Sequence, residues 1–255
     1  MKIRVLPSSP REPGRLHYLT TFLLNGEVAI DAGCLGTFAT PSEQGRVRDV
    51  FLTHSHADHT AALPLYLENV IEEGRDGPTV HASAFTLASL RQDVFNHRVW
   101  PNFVELEIGD RRLVHLQQLE PERPVTVRGL TFTPVEVNHP VPTFAYVVED
   151  AKSAVIFSGD TGPTTRLWEL ARTKTNLRAV FLECSFADER SDLARRSGHL
   201  TPTTFLRELI KLDRKDVLVF AFHLKPRWRD TIVSQLAALK LKNVAVAELD
   251  REYEI

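Results

Sequence analysis

Three histidines and one aspartate fall within six residues of the segment at 53–59, which has the sequence THSHADH. The segment follows an apolar stretch and precedes a helical pattern, so four side chains with metal-binding atoms share one predicted strand-to-helix loop. Imidazole and carboxylate groups at this spacing do not all bind one ion comfortably, but they can serve two adjacent ions. We expect His54 and His56 to bind one ion, and Asp58 and His59 to bind the other.

Three later positions carry a further potential ligand, each after an apolar stretch that predicts a strand. They are His139 in VNHP, Asp160 in IFSGD and His223 in VFAFH. Each strand is expected to deliver its ligand to a common rim. Asp160 has two carboxylate oxygens and is expected to bridge the ions, with His139 completing the first ion's ligands and His223 the second's.

A solvated polar loop is the ordinary explanation for any single one of the ten histidines. The HxHxDH spacing is different, because random placement rarely sets three histidines and an aspartate so close together after a buried strand. We therefore expect two divalent metal ions. Histidine and carboxylate ligands favour zinc, although mixed nitrogen and oxygen sites of this kind also accept manganese or iron.

Short apolar runs predict strands, and helical patterns lie between them. The predicted strands are 21–24, 28–30, 50–53, 125–127, 145–148, 154–157, 180–183, 217–221 and 244–247. The predicted helices are 62–72, 84–91, 166–172, 203–212 and 231–239. The fourth helix is entered through Thr201 as cap and Pro202 in the first turn.

The order of these elements predicts the fold class. Strands come in runs separated by single helices, which fits two sheets covered by helices better than a strict βαβ alternation. We expect an α/β protein built as a four-layer αββα sandwich of two mixed sheets flanked by helices. The 255 residues suit one large domain, 1–255, with no repeat, low-complexity tract or linker to divide it.

Composition argues against several kinds of protein. No stretch approaches the ~18 apolar residues of a membrane span, and residues 1–13 place prolines where a signal peptide has its apolar region, so we expect a cytoplasmic protein. The net charge of −2 argues against a nucleic-acid partner but allows a small anionic substrate, which needs only one or two local cations. Cys34 and Cys184 lack a CxxC spacing and are expected to be reduced core thiols.

The ordered motifs of the chain resemble those of the metallo-β-lactamase superfamily from about Thr20 to Lys225. The matching motifs are DAG at 31–33, THSHADH at 53–59, His139, SGDTG at 158–162 and His223. The resemblance implies that Asp31 supports the metal loop from behind the ligands and does not bind an ion itself. Because the superfamily hosts many hydrolases, these motifs alone do not give a substrate.

Further segments resemble the class II 3′,5′-cyclic-nucleotide phosphodiesterases. They are FNHRVWP at 95–101, GDTGP at 159–163, ECSF at 183–186 with GHLTP at 198–202, and FHLKP at 222–226. The resemblance implies hydrolysis of cAMP, cGMP or related phosphodiesters to 5′-nucleotides. It also places Asn96 and Trp100 near the pocket mouth, although a Trp before Pro is often only a packed loop anchor.

Glu183 and His199 resemble a pair that transfer-RNA 3′-processing nucleases of this superfamily place beside their metals as a proton relay. Phosphodiester cleavage expels a ribose alkoxide, which leaves poorly unless it is protonated or metal-bound. We therefore predict His199, oriented by Glu183, as proton donor, and count Asp58 among the catalytic residues as well as the ligands. Lys225 is expected against a phosphate oxygen, with a solvated lysine as the alternative.

Several alternatives stay open. The same scaffold also carries sulfatases, lactonases and thiolesterases. A transfer-RNA 3′-processing nuclease would need a Gly-rich and basic protruding arm, and no such insertion is visible. A non-catalytic protein that had lost its metals is disfavoured, because all seven ligand positions are intact. The prediction also allows a homodimer.

Overall fold

Two seven-stranded sheets and one two-stranded hairpin contain the strands of the computed structural model, which describes residues 1–8, 16–72 and 75–255. In chain order the strands are β1 (Lys2–Val5), β2 (Phe22–Leu24), β3 (Val28–Ile30), β4 (Asp49–Phe51), β5 (Thr79–Ala82), β6 (Glu107–Ile108), β7 (Arg111–Arg112), β8 (His115–Gln118), β9 (Val125–Val127), β10 (Leu130–Val137), β11 (Thr143–Glu149), β12 (Ala154–Phe157), β13 (Leu177–Glu183), β14 (Leu218–Phe222), β15 (Val244–Val246) and β16 (Glu252–Glu254). The α-helices are α1 (Pro41–Gln44), α2 (Ala57–Thr60), α3 (Leu63–Asn69), α4 (Ala84–Ser89), α5 (Arg166–Thr173), α6 (Ser191–Ser197), α7 (Pro202–Leu212) and α8 (Arg229–Ala238).

Each seven-stranded sheet has an antiparallel half and a parallel half. The first sheet has the order β16-β1-β2-β3-β4-β5-β8, antiparallel as far as β3 and parallel from β3 to β8. The second has the order β15-β14-β13-β12-β11-β10-β9, antiparallel from β9 to β12 and parallel from β12 to β15. Both sheets are therefore mixed, as predicted.

The alternation of side chains along β13 shows how the layers stack. Val180 and Leu182 pack in a cluster with buried residues of α5, α7 and α8. Ala179 and Phe181 instead join the cluster between the sheets, where the rings of Phe22 on β2 and Phe181 lie 5.2 Å apart. A further cluster joins the outer face of the first sheet to α3 and α4. The predicted four-layer αββα sandwich is confirmed.

All five predicted helices have counterparts with somewhat different bounds. The predicted helix at 62–72 is shorter and is preceded by the separate turn α2, and the predicted helix at 84–91 becomes a π-helical turn at Leu90–Val94. Thr201 caps α7 with its hydroxyl, and Pro202 occupies the first turn. Cap and proline signals therefore located the start of α7 correctly.

Several strands were not predicted: β1, β5, β8, β10, β16 and the short β6–β7 hairpin. The longest of them, β10, contains Pro134, which normally argues against a strand because proline cannot donate a ladder hydrogen bond. The others are short and carry polar or charged residues. Tertiary pairing with neighbouring strands, which local pattern does not reveal, stabilises them.

The strands position the site by ending at one edge of the sandwich. The loop at 53–59 follows β4, and His139, Asp160 and His223 follow the ends of β10, β12 and β14. Gly159 permits the close approach there, because its φ is +59° and a Cβ would lie 2.9 Å from the carbonyl oxygen of Phe144.

The structure bears on the predictions that no segment spans a membrane and that both cysteines are reduced core thiols. None of the helices in the described ranges has the length and apolar character that a bilayer crossing needs. Residues 9–13 of the segment at 1–13, from which the absence of a signal peptide was argued, lie outside the described residues. Cys34 and Cys184 are both buried and free, as expected.

Candidate metal centre

The seven predicted metal ligands lie together in two neighbouring groups, in each of which the ligand atoms are within 4.8 Å of one another. The first group consists of His54, His56 and His139. The second group consists of Asp58, His59, Asp160 and His223. The folded chain thus brings together residues up to 169 positions apart, from 54 to 223, with the same division that the spacing predicts.

The first group is open on one side. Nε2 of His139 lies 3.2 Å from Nδ1 of His56, and the ring centroid of His54 is 4.7 Å from that of His56 and 4.9 Å from that of His139. His54 is fully buried, whereas His56 and His139 are half-buried. Three imidazoles with one solvent-facing side are a donor set that can hold a divalent ion and leave a position for water.

The second group is more deeply enclosed. Nε2 of His59 lies 3.3 Å from Oδ2 of Asp160, and Nε2 of His223 lies 3.2 Å from Oδ2 of Asp58. His59, Asp160 and His223 are buried, and Asp58 is half-buried. Two imidazoles and two carboxylates suit zinc, manganese or iron.

Asp160 also reaches the first group. Its Oδ2 lies 3.8 Å from Nε2 of His54, while Oδ1 lies 3.5 Å from Nδ1 of His223. The carboxylate therefore borders both groups, where a bridge between two ions would lie.

Unpaired buried atoms test whether a cation fits. Of the eight buried side-chain atoms that lack a hydrogen-bond partner within the described residues, three lie here: Nε2 of His54, Nε2 of His59 and Oδ1 of Asp160. Leaving a buried polar atom unsatisfied costs about 1–3 kcal/mol each. All three belong to the two groups and face neighbouring ligand atoms, so the donor set fits metal ions that would satisfy them.

Asp31 holds the metal loop from behind. Its Oδ2 lies 2.7 Å from Nδ1 of His59, and its Oδ1 accepts a 2.8 Å hydrogen bond from the backbone N–H of Thr53. The Thr53 hydroxyl donates to the same carboxylate and lies 2.9 Å from Nδ1 of His54. Nδ1 of both histidines is therefore engaged, which leaves Nε2 of each directed at the site, as outer-shell partners of metal ligands do.

Asp31 and His223 both adopt positive φ angles, +61° and +60°. For residues other than glycine this conformation is uncommon and costs energy, and it tends to occur where function requires a particular direction. At Gly33 the chain also approaches closely, since a Cβ there would lie 2.2 Å from the carbonyl oxygen of Asp58.

Glu183 joins two sides of the site through hydrogen bonds. Its Oε1 lies 2.7 Å from Nδ1 of His199, and its Oε2 accepts a 2.8 Å hydrogen bond from the hydroxyl of Ser185. Because Ser185 gives its proton to Glu183, it accepts from Nδ1 of His223 at 2.9 Å. The buried carboxylate therefore orients one candidate ligand and one candidate proton donor.

His199 lies directly beside the ligands. It groups with His139 and Asp160, all three offering donor atoms within 4.8 Å of one another, and its ring centroid is 5.1 Å from that of His139. Since Nδ1 bonds to Glu183, the opposite nitrogen, Nε2, is the one available to the site. Gly198 accepts a 3.0 Å hydrogen bond at its carbonyl from Nδ1 of His139 and so ties the two histidines together.

Electrostatics around the second group favour positive charge. Burial by itself lowers the pKa of His59, but the carboxylates of Asp160 and Asp31 outweigh it and raise that pKa well above its usual value. Burial would raise the pKa of Asp160, yet His223 and His59 hold it well below its usual range. The carboxylates of Asp160 and Asp31 flank one buried imidazole and form a pocket for a cation.

Burial and neighbouring rings act differently on the other histidines. Burial first, and then the charge of His59, lower the pKa of His54 well below its usual value, so it is a neutral ligand. Burial also lowers the pKa of His199, but the carboxylate of Glu183 reverses this and raises the pKa above 6.5. The proton that a donor needs is therefore stabilised on His199.

Lys225 lies at the outer side of the second group. Its Nζ donates a 3.0 Å hydrogen bond to Oδ2 of Asp58. The structure therefore brings this predicted residue to the site, although it contacts a candidate ligand.

Asn96 and Trp100 are not joined to either group by any hydrogen bond or ring contact among the described residues. Oδ1 of Asn96 accepts hydrogen bonds from the backbone N–H groups of Arg98 and Val99, which closes its own turn. Trp100 packs edge-on to Phe103, with 6.5 Å between ring centroids, against the core on the outer face of the first sheet. Local structure accounts for Asn96, whereas the buried indole Nε1 of Trp100 lacks a hydrogen-bond partner. A role for both residues at the pocket mouth stays a prediction.

Sequence reasoning missed Ser185 and His17. Ser185 lies in the ECSF segment, but nothing in that pattern shows that its hydroxyl links Glu183 to His223. The ring of His17 stands edge-on to that of His223, with 6.3 Å between centroids, and burial lowers its pKa to about 3. His17 is an isolated histidine 37 residues before the motif, so no spacing could connect it to the site.

A four-layer αββα sandwich with a histidine and aspartate cluster at one sheet edge defines a protein of the metallo-β-lactamase fold. The chain belongs to the β-lactamase superfamily: the family model described as the beta-lactamase superfamily domain matches residues 30–222. This fold implies divalent metal ions, and the two groups described above are where the chain offers the donors.

Curated relatives are named as phosphodiesterases. A Yersinia pestis protein named "Probable 3′,5′-cyclic-nucleotide phosphodiesterase" is 29% identical over 209 residues, which cover 72% of this chain and 58% of that protein. An Aliivibrio fischeri protein named 3′,5′-cyclic-nucleotide phosphodiesterase is 26% identical over 71% of this chain and 60% of its own length. The chain thus spans about three-fifths of the length of these relatives.

A solved structure agrees with the fold. Unliganded yeast PDE1 superimposes with a TM-score of 0.80 at 18% identity, covering 100% of this chain and 99% of the yeast chain. At this identity the likeness concerns the fold alone.

Proposed function

We propose that the chain is a metal-dependent phosphodiesterase that hydrolyses 3′,5′-cyclic nucleotides such as cAMP and cGMP to 5′-nucleotides. The observation that carries the proposal is the Glu183–His199 pair, because His199 offers a ring nitrogen within 4.8 Å of ligand atoms of His139 and Asp160. A hydrolase of reactive esters has little need for a proton donor, whereas a ribose alkoxide leaves poorly without one. The names of the curated relatives support the same chemistry.

Two divalent ions are proposed, with zinc first and manganese or iron as alternatives. The first group would hold one ion and the second group the other, with Asp160 shared between them. When bound, the ions would polarise a phosphoryl oxygen and supply a water acidic enough to act as nucleophile. Asp31 and Ser185 would keep the imidazoles of His59 and His223 directed at the second ion.

His199 is proposed to protonate the leaving oxygen. Opening a 3′,5′-cyclic ester breaks the bond between phosphorus and the 3′ oxygen, and that oxygen takes up one proton as it becomes a hydroxyl. Nε2 of His199 would donate this proton while Nδ1 stays bonded to Glu183. Glu183 acts through His199 and is a positioning residue.

Lys225 is proposed to contact a phosphate oxygen of the substrate. Its ammonium group is partly exposed and lies 3.0 Å from Asp58, so it adds positive charge at the outer side of the second group. Asp58 would then serve as a ligand and also hold Lys225 in place, which is its proposed contribution to catalysis. The substrate is a small anion, in keeping with a net charge of −2.

The proposals for Asn96 and Trp100 have a separate test. If they line the pocket mouth, Asn96→Ala and Trp100→Ala should raise KM for cyclic nucleotides without lowering the thermal unfolding temperature. If the substitutions lower only the unfolding temperature, both residues belong to the local packing.

A substrate panel tests the reaction class. Turnover of cAMP, cGMP, bis-4-nitrophenyl phosphate and 4-nitrophenyl sulfate should be measured with metals quantified in the same sample. We expect turnover of the phosphodiesters, with a 5′-nucleotide as the product of the cyclic ones. Turnover of the sulfate ester alone would instead assign the chain to the sulfatase alternative.

A leaving-group comparison tests the role of His199. We expect His199→Ala to lower kcat on cAMP by ~10²–10⁴-fold, the usual range for a positioned acid, and to slow bis-4-nitrophenyl phosphate far less because nitrophenolate departs without a proton. Glu183→Gln should show a milder version of the same pattern. His115→Ala, at the edge strand β8, is the control, and metals must be saturating in all samples.

Equal slowing of good and poor leaving groups would contradict proton donation and assign His199 to phosphate binding. No slowing of either would make it a structural residue.

We also propose that residues 1–255 form one domain and that the protein can form a homodimer. Light scattering of the purified chain would give the mass that decides between one copy and two.

A further inference from the structure

A cavity of about 380 Å³ lies on the outer side of His199, bordered by α6, α7 and the segment that follows Asp160. His199 is the one residue that this cavity shares with the candidate metal centre. The volume falls in the range of small-molecule sites, about 300–1,000 Å³. Apart from His199, none of the metal ligands, catalytic residues or substrate-binding residues predicted from the sequence lines it.

The stereochemistry of phosphoryl transfer indicates which part of a substrate would lie in this cavity. In phosphoryl transfer the attacking and leaving oxygens lie roughly in line, on opposite sides of phosphorus. A proton donor must lie within hydrogen-bond reach of the leaving oxygen, about 2.6–3.2 Å. Whatever is attached to the leaving oxygen must therefore lie on the His199 side, where the cavity is.

The walls of the cavity combine apolar surface, hydroxyl groups, the carboxylate of Asp192 and two guanidinium groups. Pro163 and Ala194 supply apolar surface, while Arg195 and Arg207 reach in from α6 and α7. The guanidinium of Arg195 is already bonded to Asp192, at 2.7 Å. Arg207 is exposed, and in the described part of the chain it makes no ion pair or hydrogen bond. One planar cation is therefore free to bind a ligand.

We propose that this cavity binds the nucleoside of the substrate, with the base against the plane of the Arg207 guanidinium. The inference rests on the proposed phosphodiesterase function and adds its leaving-group subsite. Arginine is suited to this contact because its flat, delocalised cation stacks on aromatic faces, which an ammonium group does not do as well. The apolar surface of Pro163 and Ala194 suits the other face of a ring.

Steady-state kinetics of Arg207→Ala test the proposal. We expect KM for cAMP to rise about tenfold while kcat changes little, because the planar cation that would face the base is removed. Arg196→Ala removes the same charge from the exposed surface of α6 but does not line the cavity, and it should behave as wild type.

Arg207→Lys separates stacking from charge. The lysine variant keeps the positive charge but lacks the planar guanidinium, so it should recover only part of the affinity for cAMP that Arg207→Ala loses. Full recovery would assign Arg207 to the charge of the substrate and overturn the stacking contact. An unchanged KM in Arg207→Ala, in an enzyme that hydrolyses cAMP, would overturn the subsite and leave the proposed function intact.

Binding of adenosine supplies a readout that does not depend on turnover. Saturation-transfer NMR should show adenosine bound to the wild-type protein and to Arg196→Ala, and a weaker signal with Arg207→Ala. Equal signals in all three would overturn the proposal. A protein that fails to hydrolyse any phosphodiester but still binds adenosine through Arg207 would contradict the proposed function and support the nucleoside site.

Discussion

The two ligand groups differ in how firmly their side chains are held by the surrounding protein. In the second group, His59 is bonded to Asp31 and His223 to Ser185, both through buried hydrogen bonds. In the first group, His54 and His139 are likewise bonded, to Thr53 and to Gly198, but the imidazole of the half-buried His56 has only His139 as a hydrogen-bond partner among the described residues. Preorganised ligands lose less freedom on binding, so the second group should hold its ion more tightly.

The largest effect is expected at the residue that belongs to both groups. Asp160→Ala should remove the shared carboxylate, lower the content of both ions and reduce turnover by roughly a thousandfold or more, because several kcal/mol of charge stabilisation are lost. Metal analysis and kinetics check this. Asp216→Ala, which removes an exposed carboxylate paired with Arg214, is the control. A variant with full metal content and normal turnover would refute the bridging role.

Substitutions of one histidine from each group should differ in stability. His59→Ala should lose one ion and, in chelator-treated samples, lower the free energy of unfolding by about 1–3 kcal/mol, because the buried Asp31 carboxylate loses its partner. His56→Ala should also lose one ion but leave the metal-free protein as stable as wild type. Metal content and denaturant unfolding test both. Equal destabilisation, or loss of both ions from each variant, would remove the distinction between the groups.

A smaller effect is expected from the support of His59. Asp31→Asn keeps the size of the side chain but weakens the hydrogen bond to Nδ1, and we expect the affinity for the second group's ion to fall about 10–100-fold. Competition with a chelator of known affinity measures this. The first group's ion should be released at the same chelator concentration as in wild type, and a parallel shift of both ions would contradict the assignment.

The smallest effect is expected at Ser185. Ser185→Ala removes the hydroxyl that connects Glu183 and His223. A hydrogen bond contributes about 0.5–1.5 kcal/mol, so we expect the affinity for the second group's ion to fall by up to roughly tenfold. Ser197→Ala is the matched control, because that hydroxyl bonds only to backbone carbonyls of its own helix. If both variants keep wild-type affinity, the link from Glu183 to the second group has no energetic role.

Much of the site was predictable because most of its ligands lie in local sequence patterns that indicate metal binding. HxHxDH is dense enough to stand out, and Asp160 and His223 each follow an apolar run that ends where a strand ends, whereas His139 follows β10, which was not predicted. The supporting residues were less visible. Ser185 and His17 reach the site only through tertiary packing, and a serine or an isolated histidine carries no spacing signal.

The fold shows the same division between local and tertiary information. Buried strands such as β12 and β14 were predicted because they are almost wholly apolar. Strand β10 was missed because of Pro134, and β1 because alternating charged and apolar residues over four positions resemble an ordinary polar segment. Pairing with β11 and β2 stabilises them, and local pattern does not contain that information.

Metal content and cAMP turnover, measured on one sample before chelation, after chelation and after readdition of zinc, test the central claim most directly. We expect two ions per chain, loss of turnover when they are removed, recovery when they return, and 5′-AMP as the product. Turnover that survives removal of both ions, or a fully loaded protein that leaves every phosphodiester intact, would contradict a metal-dependent phosphodiesterase at this edge of the sandwich.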